Sequence, residues 1–145
     1  MPIPPRVSLV TLGVKDVARS TAFYVALGWP LSSASLPGDV SFFKTAGGLL
    51  ALWQEDLLAE DAGLPGAPAA DRRSHALAIN LESREEVDAA LATAVAAGGR
   101  ITRPAQATDW GGYNGYFADL DGHLWEVAHN PFWPIGGDGR PTLPE

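Results

Sequence analysis

The sequence predicts an α+β chain in which one βαβββ unit is used twice around a shared cup. Three observations carry this. The order strand, helix, three strands is legible in residues 7–54 and again in 74–129. The stretch LGVKDVARSTAFYVALGWPL of the first half is answered by INLESREEVDAALATAVAAGGRI of the second. Finally, 16 Gly and 12 Pro in 145 residues place turns often enough for many short strands. Two such units bury faces that neither buries alone. The expected layout is one domain, 1–145: a first module at about 6–54, a linker at about 55–73, a second module at about 74–131 and a tail at 132–145.

Val7–Val14, rich in Val and Leu, reads as a strand. Asp16 stands where a helix N-cap should. Val17–Leu27 follows, with Val17, Phe23, Tyr24 and Leu27 on one face and Gly28 as its stop. Trp29–Leu36 is expected as a strand weakened by Pro30. Pro37-Gly38-Asp39 is a turn, Val40–Thr45 a strand, Ala46–Gly48 a turn and Leu49–Gln54 a strand. Glu55–Gly63 reads as a short helix, and Leu64–Arg73, rich in Pro, Gly and Ala, as a linker. Ser74–Leu81 is the next strand. Ser83 and Glu86 form a capping-box pattern before a helix to about Ala97, with Val87, Leu91, Ala94 and Val95 on its buried side. Gly98-Gly99 ends it, and Arg100–Ala107 is a strand. The tail from Ile135 is expected as a surface wrap or frayed end anchored by Phe132 and Trp133.

Between these last elements lies the most informative stretch, Tyr113–Pro134. Asp-Gly between two strand-like runs is a strong hairpin signal, because Gly supplies the positive φ of a tight turn. Tyr113–Asp119 is one strand and His123–His129 the other. On the return strand Leu124, Glu126 and Ala128 point one way, and Trp125, Val127 and His129 the other. One carboxylate, Glu126, thus sits in an apolar row, where a charge needs a partner, a metal or water.

Composition excludes several classes of function. A net charge of −7 argues against a nucleic-acid partner. No run of about 18 apolar residues exists, so no membrane partner is expected. The start, MPIPPRVSLV, has no apolar signal region, and there is no Cys; both fit a cytoplasmic location. Asp71-Arg72-Arg73 and Arg100–Arg103 are too sparse for a basic patch and read as solvated faces.

Three segments, LGVKDVARSTAFYVALGW, AAGGRITRP and GYFADLDGHLWEVAHNPFW, resemble the vicinal oxygen chelate superfamily. That group includes glyoxalase I, extradiol dioxygenases, and fosfomycin- and bleomycin-resistance proteins. The resemblance spans about Val7 to Pro131. The last segment is similar to the family's Phe-x-Asp-Pro-Asp-Gly-x-x-x-Glu signature, with Leu120 in place of the usual Pro. The resemblance implies the glyoxalase/bleomycin-resistance/dioxygenase fold, a small-molecule ligand and a homodimer whose modules pair across subunits. It also implies four metal positions on four strands, which fall at Leu9, Ala51, His75 and Glu126. His75 and Glu126 can ligate a metal; Leu9 and Ala51 cannot. A divalent ion such as Fe, Mn, Ni or Zn would meet an incomplete set, and no cofactor is assigned. His123 and His129 have the parity of Trp125 and should face away. Asp39 and Asp109 lie in expected loops from which they could reach in.

The candidate catalytic residues are therefore His75 and Glu126. They could equally pair with each other and hold a polar ligand group without a metal. The plain alternatives are a strand-end His bonded to a neighbour and a carboxylate satisfied by Arg or backbone donors. Trp53 shares the parity of Ala51. With Trp110, Tyr113, Tyr116 and Phe117 it completes the expected ligand-binding set around His75 and Glu126, against the alternative that these aromatics are core. Tyr116 or Phe117 opposes Glu126, depending on hairpin register. Trp110-Gly111-Gly112-Tyr113 reads as a loop over the mouth or a plain turn. The favoured function is a small-molecule-binding protein with an aromatic-lined cup and a degenerate metal site. The alternatives are a metal-dependent lyase, isomerase or dioxygenase acting on a vicinal-oxygen substrate, and a metal-free enzyme with His75 as base and Glu126 orienting it.

Overall fold

The computed structural model describes residues 2–3, 5–68 and 73–145. The first module comprises β1 (Leu9–Val14), α1 (Val17–Ala26), β2 (Val40–Thr45) and β3 (Gly48–Gln54), followed by α2 (Glu55–Asp61). The second comprises β4 (Ala76–Leu81), α3 (Arg84–Ala96), β5 (Arg100–Ala107), β6 (Tyr113–Ala118) and β7 (Leu124–His129). The sheets run β1-β3-β2 and β4-β7-β6-β5. In each, the first strand lies parallel to the last and the remaining pairs are antiparallel. One topology is thus used twice, less one strand in the first module. Among the described residues no helix is long and apolar enough to cross a membrane.

The absent strand is the one expected at Trp29–Leu36, where only the bridges Leu31↔Phe43 and Leu36↔Val40 form. Pro30 cannot donate a ladder bond. Serine side chains then compete for the backbone. Ser32 Oγ accepts from the Ala34 N–H at 3.1 Å, and Ser35 Oγ accepts from the Phe42 N–H at 2.9 Å.

Both long helices start as their caps dictate. Asp16 Oδ1 accepts from the Arg19 N–H at 3.0 Å and Ser83 Oγ from the Glu86 N–H at 3.1 Å. Glu86 reaches back one residue further than a capping box requires, to the Glu82 N–H at 2.8 Å. On α3 the core face is Val87, Leu91 and Ala94, while Val95, expected inside, is exposed. The linker keeps its helix, which ends at Asp61 rather than Gly63. Its residues 69–72, with Asp71 and Arg72 of the charge run, lie outside the described residues. Arg73 is no solvated charge, since its Nη2 donates to the Asp121 carbonyl at 2.9 Å. The tail is a wrap. Thr142 N–H donates to the Pro134 carbonyl and Gly136 N–H to the Arg140 carbonyl, each at 2.9 Å. Arg140 Nε–H ties this small hairpin to the Ala46 carbonyl at 2.7 Å. Phe132 and Trp133 stay exposed, so the anchor is Arg140.

One core joins the modules. Leu12, Val14, Phe43 and Leu52 of the first sheet and Phe23 and Tyr24 of α1 belong to the same cluster as Val87, Leu91, Phe117, Trp125 and Val127. A buried polar hub lies inside it. Asp119 Oδ1 accepts from the Asp121 N–H at 2.9 Å and the His123 N–H at 2.8 Å, closing the turn in which Gly122 has φ +83°. Its Oδ2 accepts from the Tyr24 hydroxyl at 2.7 Å, and that hydroxyl accepts from Trp125 Nε1–H at 3.1 Å. His123 Nε2–H donates to the Gly13 carbonyl at 2.7 Å.

Burial, then the Asp119 charge, push the Tyr24 phenol pKa far above its ordinary value. A pKa raised on folding stabilises the fold fully below the ordinary phenol pKa, and that contribution is lost as pH rises beyond it. Tyr24→Phe strands an Asp119 oxygen and the Trp125 N–H, so it is expected to destabilise the fold by about 2–3 kcal/mol. It should also flatten the loss of stability above the ordinary phenol pKa. Urea titrations at neutral and alkaline pH check both.

Candidate functional site

Strand alternation sends one set of side chains to the common core and the other to the opposite face of each sheet. On the first sheet, Leu9, Thr11, Val40, Phe42, Ala51 and Trp53 line a hollow of about 430 Å³, together with Asp39 and Leu57. Among the described residues its only side-chain oxygens belong to Thr11 and Asp39. This face is almost entirely apolar.

On the second sheet, Glu126 pairs with Ala78 of β4 on one side and with Tyr116 of β6 on the other. Beyond Tyr116, β5 places Arg103. Asn114, two residues before Tyr116, donates Nδ2–H to Glu126 Oε2 at 2.7 Å, and Arg103 donates to Asn114 Oδ1. The Arg103 guanidinium also lies 5.4 Å from the Tyr116 ring centroid. Burial, and after it the charge of Glu126, raise the Tyr116 phenol pKa, while Arg103 opposes the shift. The face is therefore a carboxylate, an amide, a phenol and a guanidinium in mutual contact.

Local sequence explains how Arg103 arrives. The β5–β6 register shifts on both sides of Arg103, next to Pro104, which has no N–H for the ladder. Gly115 lets the strands approach there, since a Cβ on it would lie 2.8 Å from both the Ala105 nitrogen and Leu91 Cδ1. Arg103, expected as a solvated charge, is half-buried in this cluster.

The expected site residues separate. Tyr116 and Glu126 share the polar face, and Trp53 shares the apolar hollow with Ala51 and Leu9. Phe117 is 2% exposed and stacks on Trp125 in the core, with ring centroids 6.2 Å apart, because the register puts Tyr116 opposite Glu126. Tyr113 faces α3: its hydroxyl donates to Asp88 Oδ1 at 2.7 Å and Arg84 lies over its ring. Trp110 is 46% exposed and folds over its neighbour Gly112. Register also moves the counterpart of Leu9. Leu9 pairs with Leu49 and Ala76 with Leu124, each two residues before Ala51 and Glu126, so Ala76 answers Leu9 and His75 falls one residue short. The His75 ring lies 6.5 Å from that of His123 instead of beside Glu126. His129 faces away as expected, with Nδ1 3.1 Å from the Leu81 carbonyl.

Sequence reasoning passed over Asn114 and Arg103. Asn114 was within reach, since it shares the parity of Tyr116, the partner of Glu126. Arg103 was not, because a bulge resets parity.

These residues do not fit a divalent metal. Leu9, Ala51 and Ala76 have no donor atoms, and one Glu126 oxygen already takes the Asn114 amide. Among the described residues no group of three or more His, Cys, Asp or Glu converges.

The contact between Glu126 and Tyr116 is measurable. Glu126→Gln removes the negative charge and should bring the Tyr116 pKa back toward the ordinary phenol value. Ultraviolet titration of the phenolate, with Tyr116→Phe to assign the signal, checks it.

The family model described as Glyoxalase/Bleomycin resistance protein/Dioxygenase superfamily matches residues 6–127. A glyoxalase-related enzyme from Fulvimarina pelagi is 40% identical, with 96% of this chain and 98% of that one covered and a TM-score of 0.84. A glyoxalase/bleomycin resistance protein/dioxygenase from Nocardioides is 29% identical over 89% and 85% of the two chains, with a TM-score of 0.73. A lactoylglutathione lyase from Agrobacterium tumefaciens, 23% identical over 90% and 98% with a TM-score of 0.66, shares the fold. No curated protein matches the chain significantly.

Proposed function

The chain belongs to the Glyoxalase/Bleomycin resistance protein/Dioxygenase superfamily, and within it we propose a cytoplasmic small-molecule-binding protein that works as a homodimer. One observation carries the reading. The apolar face of the first sheet and the polar face of the second both lie on the side of their sheet away from the common core. Within one chain they cannot close on each other. A second copy related by a twofold axis would set the apolar face of one protomer against the polar face of its partner, closing two equal cups. Exposed Leu9, in the hollow itself, is in keeping with such a covered surface.

Each cup would hold mostly apolar wall, including Trp53 and Phe42, and a few convergent polar groups, which is the composition of a ligand site. Glu126 keeps one oxygen for a donor on the ligand, Tyr116 offers a hydroxyl, and Trp53 offers a flat apolar surface. A compact aromatic molecule carrying an amine or hydroxyl suits this set. Sequestering such a compound needs no metal.

The 40% identical glyoxalase-related enzyme favours a second reading, an enzyme. Here Glu126 would accept a proton from the bound molecule and the Tyr116 hydroxyl would support the oxygen that gains charge. The superfamily's metal-dependent lyase, isomerase or dioxygenase chemistry would need donors that Leu9 and Ala51 do not supply.

The test is a panel of aromatic amines and phenols followed by tryptophan fluorescence and calorimetry. A ligand of the cup is expected to lose about tenfold in affinity in Glu126→Gln, or about 1.4 kcal/mol. Added Fe, Mn, Ni or Zn should bind wild type and Glu126→Ala alike; one equivalent held by wild type and lost in the variant would sink the degenerate-site reading. Leu9→Asp should convert the dimer to a monomer in sedimentation, and a wild-type chain monomeric at high concentration rules out the cross-subunit cup.

A further inference from the structure

A second cavity, of about 550 Å³, opens along the β4 edge at the seam between the modules, and Lys44, Leu49, Ala78 and Asn80 bring residues of cup-face parity to its lining. Val10 and Leu50 line it from the first sheet, Leu77, Ile79 and Trp125 from the second, and Trp29 from the segment after α1. These side chains have core parity. Yet Val10, Trp29, Leu77 and Ile79 are only half-buried, packed against the core without being enclosed by it. The core runs out at this end of the seam between the modules, and apolar surface is left open to a ligand.

The mouth has a distinctive charge. Lys44 and Arg140 are among its lining residues, and among the described residues no Asp or Glu is. In a chain of net charge −7 that is a local reversal of sign. Arg140 is held there by the tail hairpin. Its Nε–H is spent on the Ala46 carbonyl at 2.7 Å, which aims the rest of the guanidinium from a fixed stem. Gly139 and Pro141 of the same hairpin form part of the wall.

We infer that this cavity is a second binding site, distinct from the cup, for a small amphiphilic carboxylate. Its acyl or aryl body lies against Leu77, Ile79 and the two tryptophans, and its carboxylate meets Arg140 and Lys44 at the mouth. A guanidinium on a fixed stem suits a carboxylate, and the volume falls within the range of small-molecule pockets.

Decanoate and decanol, titrated against the full chain, test this. Binding is read by calorimetry and by tryptophan fluorescence, to which Trp29 and Trp125 should respond. Decanoate is expected to bind once per chain, about tenfold or more tighter than decanol. The Lys44→Ala/Arg140→Ala double variant should bind the two alike. Arg140→Ala also unties the tail hairpin from the Ala46 carbonyl, so Lys44→Ala alone, which leaves that tie and the wall in place, should lower the decanoate preference by itself, and an unchanged preference in it overturns the inference. Ile79→Trp, which fills the cavity, should abolish binding of both. Equal binding of carboxylate and alcohol by the wild type, or none of either, overturns the inference. So does decanoate binding that weakens in Glu126→Gln but not in the double variant, because the carboxylate then sits in the cup. Binding that appears only when a dimer dissociates on dilution overturns it too, because a second copy then fills the cavity.

Discussion

The buried carboxylate of Asp119 is the constraint on which the rest of the molecule depends. A charge in an apolar interior is costly unless it is paired or hydrogen-bonded. Here the donors come from both halves: two N–H groups of its own turn and the hydroxyl of Tyr24 on α1. The turn is held from other sides as well. Asp121 Oδ1 accepts from the Lys15 N–H at 2.9 Å, and the His123 ring donates to the Gly13 carbonyl. The hairpin of the second module is thus fastened to the β1–α1 corner of the first. Once Tyr24 and Trp125 must share this hub, the helix-covered sides of both sheets face inward.

Everything about the site follows from that orientation. Inward-facing helix sides leave the alternate side chains of both sheets pointing out, one face greasy and the other polar. Of the three acidic residues on that hairpin, Asp119 and Glu126, seven positions apart, have opposite fates. Asp119 sits at the turn and is fully satisfied inside. Glu126 sits mid-strand on the open face, with one oxygen given to Asn114 and the amide held in turn by Arg103. The same residue chemistry is enclosed in one place and left on an open face in the other, because strand position decides which face it joins.

Much of the fold was readable from local signals. Caps at Asp16 and Ser83, the Asp-Gly turn and the duplicated order of elements need only neighbours in sequence. Trp53 beside Ala51, and Trp125 away from Glu126, follow from alternation alone. Most of the departures at the site concern pairing between strands. Counting along the strands sets His75 against Leu9, and the sheet register shifts that correspondence to Ala76. Phe117 and Tyr116 differ by one residue, and a one-residue slip exchanges core for surface. Arg103 was hidden by a bulge, and the strand at Trp29–Leu36 was lost to serine hydroxyls that caught its backbone.

The sequence by itself determined the elements, their capping and turns, the repeated topology and the lack of donors at Leu9 and Ala51, because each depends on residue type and near neighbours. Only the tertiary structure decided that Glu126 keeps company with Asn114, Tyr116 and Arg103, that His75 stands apart with His123, and that a cationic-mouthed cavity opens at the seam. Those are matters of register and of how two modules pack, set by contacts between residues far apart in the chain.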